Sequence, residues 1–395
     1  MKIVKDPIHD FIELQAEELQ VVDSWEFQRL RYIKQLGTAY FVYPGATHTR
    51  FEHSLGTMHL AGLIYRQLCR HGLEFSKEQY LRVRLAALLH DIGHLAFSHA
   101  LEGLLAEKRH EEVGKEIIKS SSLREKLEQL GFHCRDIINL IEGKGELGKI
   151  ISSQIDADRL DYLVRDSYYA GVNYGLVSVK RIIYTMQLLD GRIVFSKKAV
   201  TCLENLLFAR YQMYYNVYLH HTTECFAILL RRITELMKEL GLLAEPASIE
   251  ELLEITDFWL LEKLHRALRE EKHPKLQELL YRFFYRRPYK LVYEKFFAKD
   301  VLEKVKEIEQ QIYSVYDKYD VLVSYPNIQI YSYNPKIKKK SILILVNGKL
   351  KDIFNVSKII NRLATTPYFI FRIYVNKEKL NQGQLEQLLR LAKKV

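Results

Sequence analysis

HDIGHLAFSH, residues 90–99, places three histidines and one aspartate in ten positions. Neutral imidazole nitrogen together with carboxylate oxygen suits a divalent ion that keeps positions open for water. His90 and Asp91 are neighbours, about 100° apart on a helix, so they can share an ion only near a helix end. Gly93 is a suitable breaker there. Further ligands must come from other segments. HTRFEHS (48–54) offers His53 and DADRLDYLVRD (156–166) offers Asp158, each in a stretch with helical character. Ligands converging from separate helices are a known way to build a metal site inside a bundle. Seven of the fourteen histidines fall between residues 48 and 99, a density that favours a site over scattered surface groups.

Outward from this stretch the pattern stays mostly helical. Residues 1–15 alternate and read as a strand or hairpin arm. Apolar spacing predicts helices over 17–36, 50–71, 78 to about 93, 111–119, 134–142 and 153–169. After Gly171, RIVFS (192–196) reads as a strand beside a turn at Asp190-Gly191. Residues 198–240 and 250–284 return to helix. Beyond Tyr319, VLVSY, IQIYSY, SILILV and YFIFRIYV read as strands, with helices over 356–363 and 382–391. The expectation is a mainly α protein with a smaller C-terminal α+β region. Its parts are an N-terminal arm and metal-bearing core over 1–175, a helical extension over 176–318 and the α+β region over 319–395.

Composition narrows the setting. The 395 residues are 48% hydrophobic, enough for a large core, and carry a net charge of +10. That balance suits anionic partners such as nucleotides or nucleic acid. Four cysteines without a CxxC pair argue against a disulfide framework and for a reducing compartment. No apolar run resembles a signal peptide or spans a bilayer. The expected location is the cytoplasm, with no membrane partner. Gly143–Lys149 matches the spacing of a phosphate-binding P-loop. Ile150 replaces the required hydroxyl, however, and the preceding segment reads as helix, so a surface turn is expected.

The three quoted segments, with FQRLRYIKQLG (27–37), DPIH (6–9) and ARYQMYYNVYLHH (209–221), occur in one order along the chain. In that order they resemble the HD-domain phosphohydrolases, more closely their deoxynucleoside triphosphate triphosphohydrolase branch, over roughly residues 1–300. The resemblance implies an HD-domain helical bundle. His53, His90, Asp91 and Asp158 would hold one divalent ion (Mg, Mn, Fe or Zn), with a further Mg accompanying the nucleotide. It implies that His99 and Glu102 form an acid/base pair and that His94 and His110 contact the reacting phosphate. Arg50, Arg159 and Arg210 match phosphate contacts, and relatives often carry Lys at the position of Arg159. Gln35 and Asp166 match contacts to the 3′-hydroxyl. Tyr218 matches a ring that leaves no room for a 2′-hydroxyl, and Tyr162 a further sugar or phosphate contact. Asp23, Gln28 and Arg31 match a guanine-reading allosteric pocket, completed across a subunit interface by Arg286 and Lys290. Lys5 and Phe11 depart from that pocket's pattern, standing where relatives carry Asn and His.

The implied activity is hydrolysis of a deoxynucleoside triphosphate (dNTP) to deoxynucleoside and triphosphate. A nucleotide activator and a homodimer or homotetramer are implied with it. Two readings stand beside this one. The first is an HD phosphohydrolase acting on another nucleotide or on nucleic acid ends. The second is a non-catalytic basic protein that binds nucleotide or single-stranded nucleic acid through its Tyr, Lys and Arg side chains. A pure binder needs no metal ligands, so the His/Asp set separates the two classes.

Overall fold

A computed structural model describes residues 2–327, 341–363 and 369–395. The expected IQIYSY strand (328–333) and the basic run 336–340 lie outside the described residues. Two long helices, Arg50–Cys69 and Lys77–Leu89, form the centre and pack against each other. The Arg50–Cys69 helix is buried on most of its surface, and its buried residues include Arg50, His53, Ser54, Thr57 and Gln67 among the apolar ones. Helix Ala157–Ala170 crosses it and brings Asp158 toward His53.

Caps fix the helix starts. Thr49 and Glu52 form a capping box ahead of Arg50, with the Thr49 amide donating to Glu52 at 2.6 Å. Asp156 accepts from the Arg159 amide at 2.9 Å, so that helix begins at Ala157 and not at 153. Asp158 therefore sits in a first helical turn, beside the positive end of the helix dipole.

Residues 17–36 form no single helix. They divide into Ala16–Val22, Trp25–Gln28 and a 3₁₀ turn, Arg29–Tyr32. Ser24 causes the first break. Its backbone is extended, and its hydroxyl donates back to the Val21 carbonyl at 2.7 Å, a local bond that competes with the helix. Residues 198–240 divide as well, into Val200–Met213, a π-helical turn Tyr214–Tyr218, and His221–Glu239.

The described strands form three sheets. Lys2–Asp6 and Asp10–Leu14 make the N-terminal hairpin. The central sheet orders Met186–Leu189, Arg192–Ser196, Leu343–Val346 and Lys349–Asp352, with its middle pair parallel. The third sheet sets Phe369–Val375 between Lys290–Phe297 and Val321–Ser324, antiparallel to both. Strands from 319–395 thus complete two sheets begun by residues 176–318. Among the described residues, no helix is long and apolar enough to cross a membrane.

Candidate metal centre and active site

His53, His90, Asp91 and Asp158 converge at one point. His53 Nε2 lies 3.1 Å from Asp158 Oδ1 and 3.8 Å from Asp91 Oδ2. His90 Nε2 lies 3.4 Å from Asp91 Oδ1 and 3.6 Å from Asp158 Oδ1. Ligands about 2.1 Å from a shared ion and at right angles to each other would be roughly 3 Å apart, so these separations fit. Both rings are also turned the right way. His53 Nδ1 faces Asp161 Oδ2 at 2.8 Å, and His90 Nδ1 faces the Ala87 carbonyl at 2.7 Å. Those outer acceptors hold the proton on Nδ1 and leave the Nε2 lone pair aimed inward. His90 Nε2 is buried and has no hydrogen-bond partner, which fits a nitrogen that would ligate a cation.

The carboxylates demand positive charge. Burial opposes a proton on His53, yet its hydrogen bonds to Asp158 and Asp161 outweigh burial and raise it to about 10. Asp158 is held below the usual carboxylate range: burial pushes it up, but His53 and His90 overcome that. The same carboxylates would hold a divalent ion in place of those protons.

Asp161 is a residue that the sequence reading passed over. Besides His53 it faces His9 Nε2 at 2.6 Å and accepts from Arg165 Nε at 2.8 Å. Arg165 in turn reaches Asp6 at 2.8 Å, so the DPIH hairpin turn ends on the carboxylate that orients a candidate ligand. Gly56 permits this approach, because a Cβ there would collide with Asp161 and Arg165. The available signal was spacing: Asp161 lies one turn after Asp158 and four residues before Arg165.

Beside the cluster, His94, His99 and His110 draw together. The His94 and His110 rings stack at 4.0 Å, and His99 meets them edge-on at 5.1 and 5.3 Å. Glu102 joins two of the three, with His110 Nδ1 at 2.5 Å and His99 Nδ1 at 3.4 Å. Hydrogen bonds from these two imidazoles hold Glu102 below the usual carboxylate range. His94 is pushed well below the normal imidazole range by burial and then by Arg50. Gly93 acts differently from the breaker expected. The Lys77–Leu89 helix has ended before it, and a Cβ on it would strike the His110 and Gly114 backbone. Its bareness lets helix His110–Ser120 sit against the turn after Asp91.

The next loop is strained. Phe97 and Ser98 both have left-handed backbones, at φ 52° and 48°. Each such residue costs about 1–3 kcal/mol and persists only where its surroundings impose it. Here the Phe97 amide donates to the buried Asp257 at 2.7 Å, and Ser98 Oγ accepts from Arg50 Nε at 2.8 Å. Arg29 secures the same turn. Fully buried, it donates to the Ile92 and His94 carbonyls at 3.0 and 2.8 Å, and burial lowers it to about 10. The sequence reading assigned its neighbours Gln28 and Arg31 and overlooked Arg29.

A cavity of about 630 Å³ opens over these groups, within the range of ligand pockets. Arg50, Asp91, His94, His99, His110 and Asp158 line one part of it. Gln35, Arg159, Tyr162, Asp166, Arg210 and Tyr218 line it too, so the structure gathers the sequence-derived substrate positions as well. Arg50 pairs with Asp91, and Arg159 with Asp156. Arg210 is buried, with its Nε and Nη1 lacking partners. Asp166 is held from two sides: His48 Nε2 lies 2.8 Å from it, and the Tyr218 hydroxyl donates to it at 2.7 Å. Tyr218 owes its place to the π-helical turn, an irregularity often found at functional sites.

The allosteric candidates are not drawn into this cavity. Arg31 Nε donates to Gln28 Oε1 at 2.8 Å and lies over the Phe51 ring, while Asp23 is exposed at a helix end. Arg286 donates to the Phe41 carbonyl at 2.8 Å, and Lys290 begins a strand. Among the described residues, no hydrogen bond or ion pair links the first three to the last two. The Gly143–Lys149 segment, expected as a turn, carries a one-turn helix, Gly145–Gly148, with Lys149 Nζ donating to the Gly143 carbonyl at 2.5 Å.

Similarity to known proteins follows this geometry. Residues 50–166 match the family model described as HD domain, and residues 177–394 match the HD associated region. An uncharacterized protein of Methanocaldococcus jannaschii is 34% identical, covering 97% of this chain and 81% of its own. The deoxynucleoside triphosphate triphosphohydrolase SAMHD1 of Homo sapiens is 35% identical over 44% of this chain and 34% of its own length. Its Dictyostelium discoideum homolog is 31% identical over 70% and 56%. Among solved structures, a phosphohydrolase from Bacteroides thetaiotaomicron superposes with a TM-score of 0.79 at 28% identity, covering 95% of this chain and all of its own. A hypothetical protein from Aquifex aeolicus gives 0.81 at 31%, over 98% and 99%. With both models matched and the identity sustained along nearly its whole length, the chain belongs to the HD-domain phosphohydrolase family.

Proposed function

We propose that this phosphohydrolase cleaves dNTPs between the α-phosphorus and the 5′-oxygen, releasing deoxynucleoside and inorganic triphosphate. The observation that carries the reading is the polarity of one cavity. Arg210 lies buried with its Nε and Nη1 lacking partners, in the same cavity as Asp91, Asp158 and the fixed pair of Asp166 and Tyr218. The partial similarity to the dNTP triphosphohydrolases points the same way.

His53, His90, Asp91 and Asp158 would hold one divalent ion, which supplies Lewis-acid polarisation of a phosphoryl oxygen and makes a bound water acidic. Arg50, Arg159 and Arg210 grip phosphate oxygens, their planar forks allowing two bonds each. His94 is kept neutral by burial and Arg50, and donates with His110 to the reacting phosphate. His99, oriented by Glu102, gives a proton to the departing 5′-oxygen. Gln35 and Asp166 take the 3′-hydroxyl, and Tyr162 adds a further contact to the sugar or phosphate. Gln35 Oε1 is buried without a partner, ready to accept one. Tyr218, tied to Asp166, fills the space that a 2′-hydroxyl would need.

A nucleotide activator at Asp23, Gln28 and Arg31, completed by Arg286 and Lys290 across the interface of a dimer or tetramer, belongs to the same reading. So does a cytoplasmic location, which fits four unpaired cysteines. Incubation with each dNTP and Mn²⁺ or Mg²⁺, followed by anion-exchange chromatography, tests the activity. Deoxynucleoside and triphosphate are expected. Monophosphate with pyrophosphate, or equal turnover of ribonucleotides, would refute the bond or the sugar preference.

A further inference from the structure

The C-terminal region reaches the cavity at Pro326, and its buried Arg372 holds residues of the cavity wall. The central strand of the third sheet, FIFRIYV (369–375), is buried throughout, and Arg372 is its charged residue. An ion inside a buried strand costs several kcal/mol unless it is paired and hydrogen-bonded. Arg372 is both. Its Nε donates to Glu294 on the neighbouring strand at 2.8 Å, and its Nη1 donates to Glu224 and to the Leu219 carbonyl. Those last two acceptors are not part of the sheet. Leu219 follows the π-helical turn that carries Tyr218, and Glu224 lies in the first turn of the next helix. Leu219, Thr223 and Glu224 line the cavity. An ion pair alone would be satisfied by Glu294. The bond to a main-chain carbonyl at the end of a helical turn adds a grip on backbone position.

We propose that Arg372 is a positioning residue. From the C-terminal sheet it fixes the bend at residues 218–224, so that Tyr218 stays on Asp166 and the adjoining wall keeps its shape. The kinetic consequence rests on the dNTP reading; the fixing of the bend does not. A guanidinium suits the task because its rigid fork addresses several acceptors at once, whereas Lys presents a point charge.

The test uses the full chain with two variants. Arg372→Lys keeps the charge and protects the fold. Arg372→Gln combined with Glu224→Gln removes both charges together, leaving no buried ion. Hydrogen exchange, metal content and dNTP kinetics are read for each. The double variant is expected to exchange amides in 214–224 at least about tenfold faster, with 50–69 and 157–170 unchanged. Its KM for dNTP should rise on the order of tenfold while kcat stays within about threefold and bound metal is retained. Arg372→Lys should lie between it and the wild type. Unchanged exchange at 214–224 would overturn the proposal. So would faster exchange spread evenly through the chain with kcat and KM altered alike, since that describes a merely structural ion pair. If the wild-type protein turns over no dNTP, the proposed function fails, and the exchange pattern still decides the role of Arg372.

Discussion

Around the His/Asp cluster, His53 and His90 each have a fixed outer partner, Asp161 for His53 and the Ala87 carbonyl for His90. Elsewhere on the cavity wall, polar atoms wait. Gln35 Oε1, Thr223 Oγ1 and two Arg210 nitrogens are buried with no partner. Unpaired buried groups cost about 1–3 kcal/mol each, so they mark places where a ligand completes the structure. On the proposed reading, the contrast teaches that the chemistry is preorganised by the chain itself, while recognition is left for the substrate to finish.

The strongest way to break this contrast is to remove a shared ligand. Asp91→Ala should abolish metal retention, and turnover should fall on the order of 10³-fold or more. Mass spectrometry of the metal, with single-turnover assays, checks both; retained metal would dissolve the cluster as described. Arg210→Ala probes the waiting side. It should cost on the order of 10²–10³ in kcat/KM with metal content unchanged, because a buried donor set for the phosphates is lost. Asp161→Asn sharpens the preorganised side. It keeps the shape but weakens the acceptor for His53, and metal affinity should drop roughly 10–100-fold in a competition titration.

The smallest effect concerns pH. His59 packs beside His9, with ring centroids 5.2 Å apart, and is lowered to about 4 by burial and then by His9 and Arg84. Its folded value lies below its unfolded value near 6.5, so the unfolded chain binds the proton first on acidification. The stability contribution is complete above about 6.5 and is lost as pH falls toward 4, about 1 kcal/mol between pH 7 and 5.5. Urea midpoints for wild type and His59→Gln at those two pH values measure it. An acid slope that the substitution leaves unchanged would place the loss elsewhere.

Much of this was legible before any coordinates. The long helices expected over 50–71 and 78 to about 93, the N-terminal hairpin and the Asp190-Gly191 turn follow from apolar spacing and turn residues, and all are present, the helices ending at Cys69 and Leu89. The four His and Asp positions could be named as a set because they recur in ordered motifs. What stayed hidden depends on partners distant in sequence. Asp161 is an ordinary helical carboxylate until Gly56 lets it touch His53. Arg29 looks like a surface cation until the carbonyls of Ile92 and His94 surround it. The π-helical turn at 214–218 has no propensity signature, and Ser24 breaks its helix through one side-chain hydrogen bond. The Leu343–Val346 and Phe369–Val375 strands were readable, but not that each would join a sheet begun earlier in the chain.

The most direct test of the central claim is where solvent oxygen ends up. In H₂¹⁸O, with a dNTP and Mn²⁺, attack at the α-phosphorus places one ¹⁸O in the released triphosphate and none in the deoxynucleoside, readable by mass spectrometry. That is the predicted result. Label in the 5′-hydroxyl, or in orthophosphate or pyrophosphate, would contradict the account.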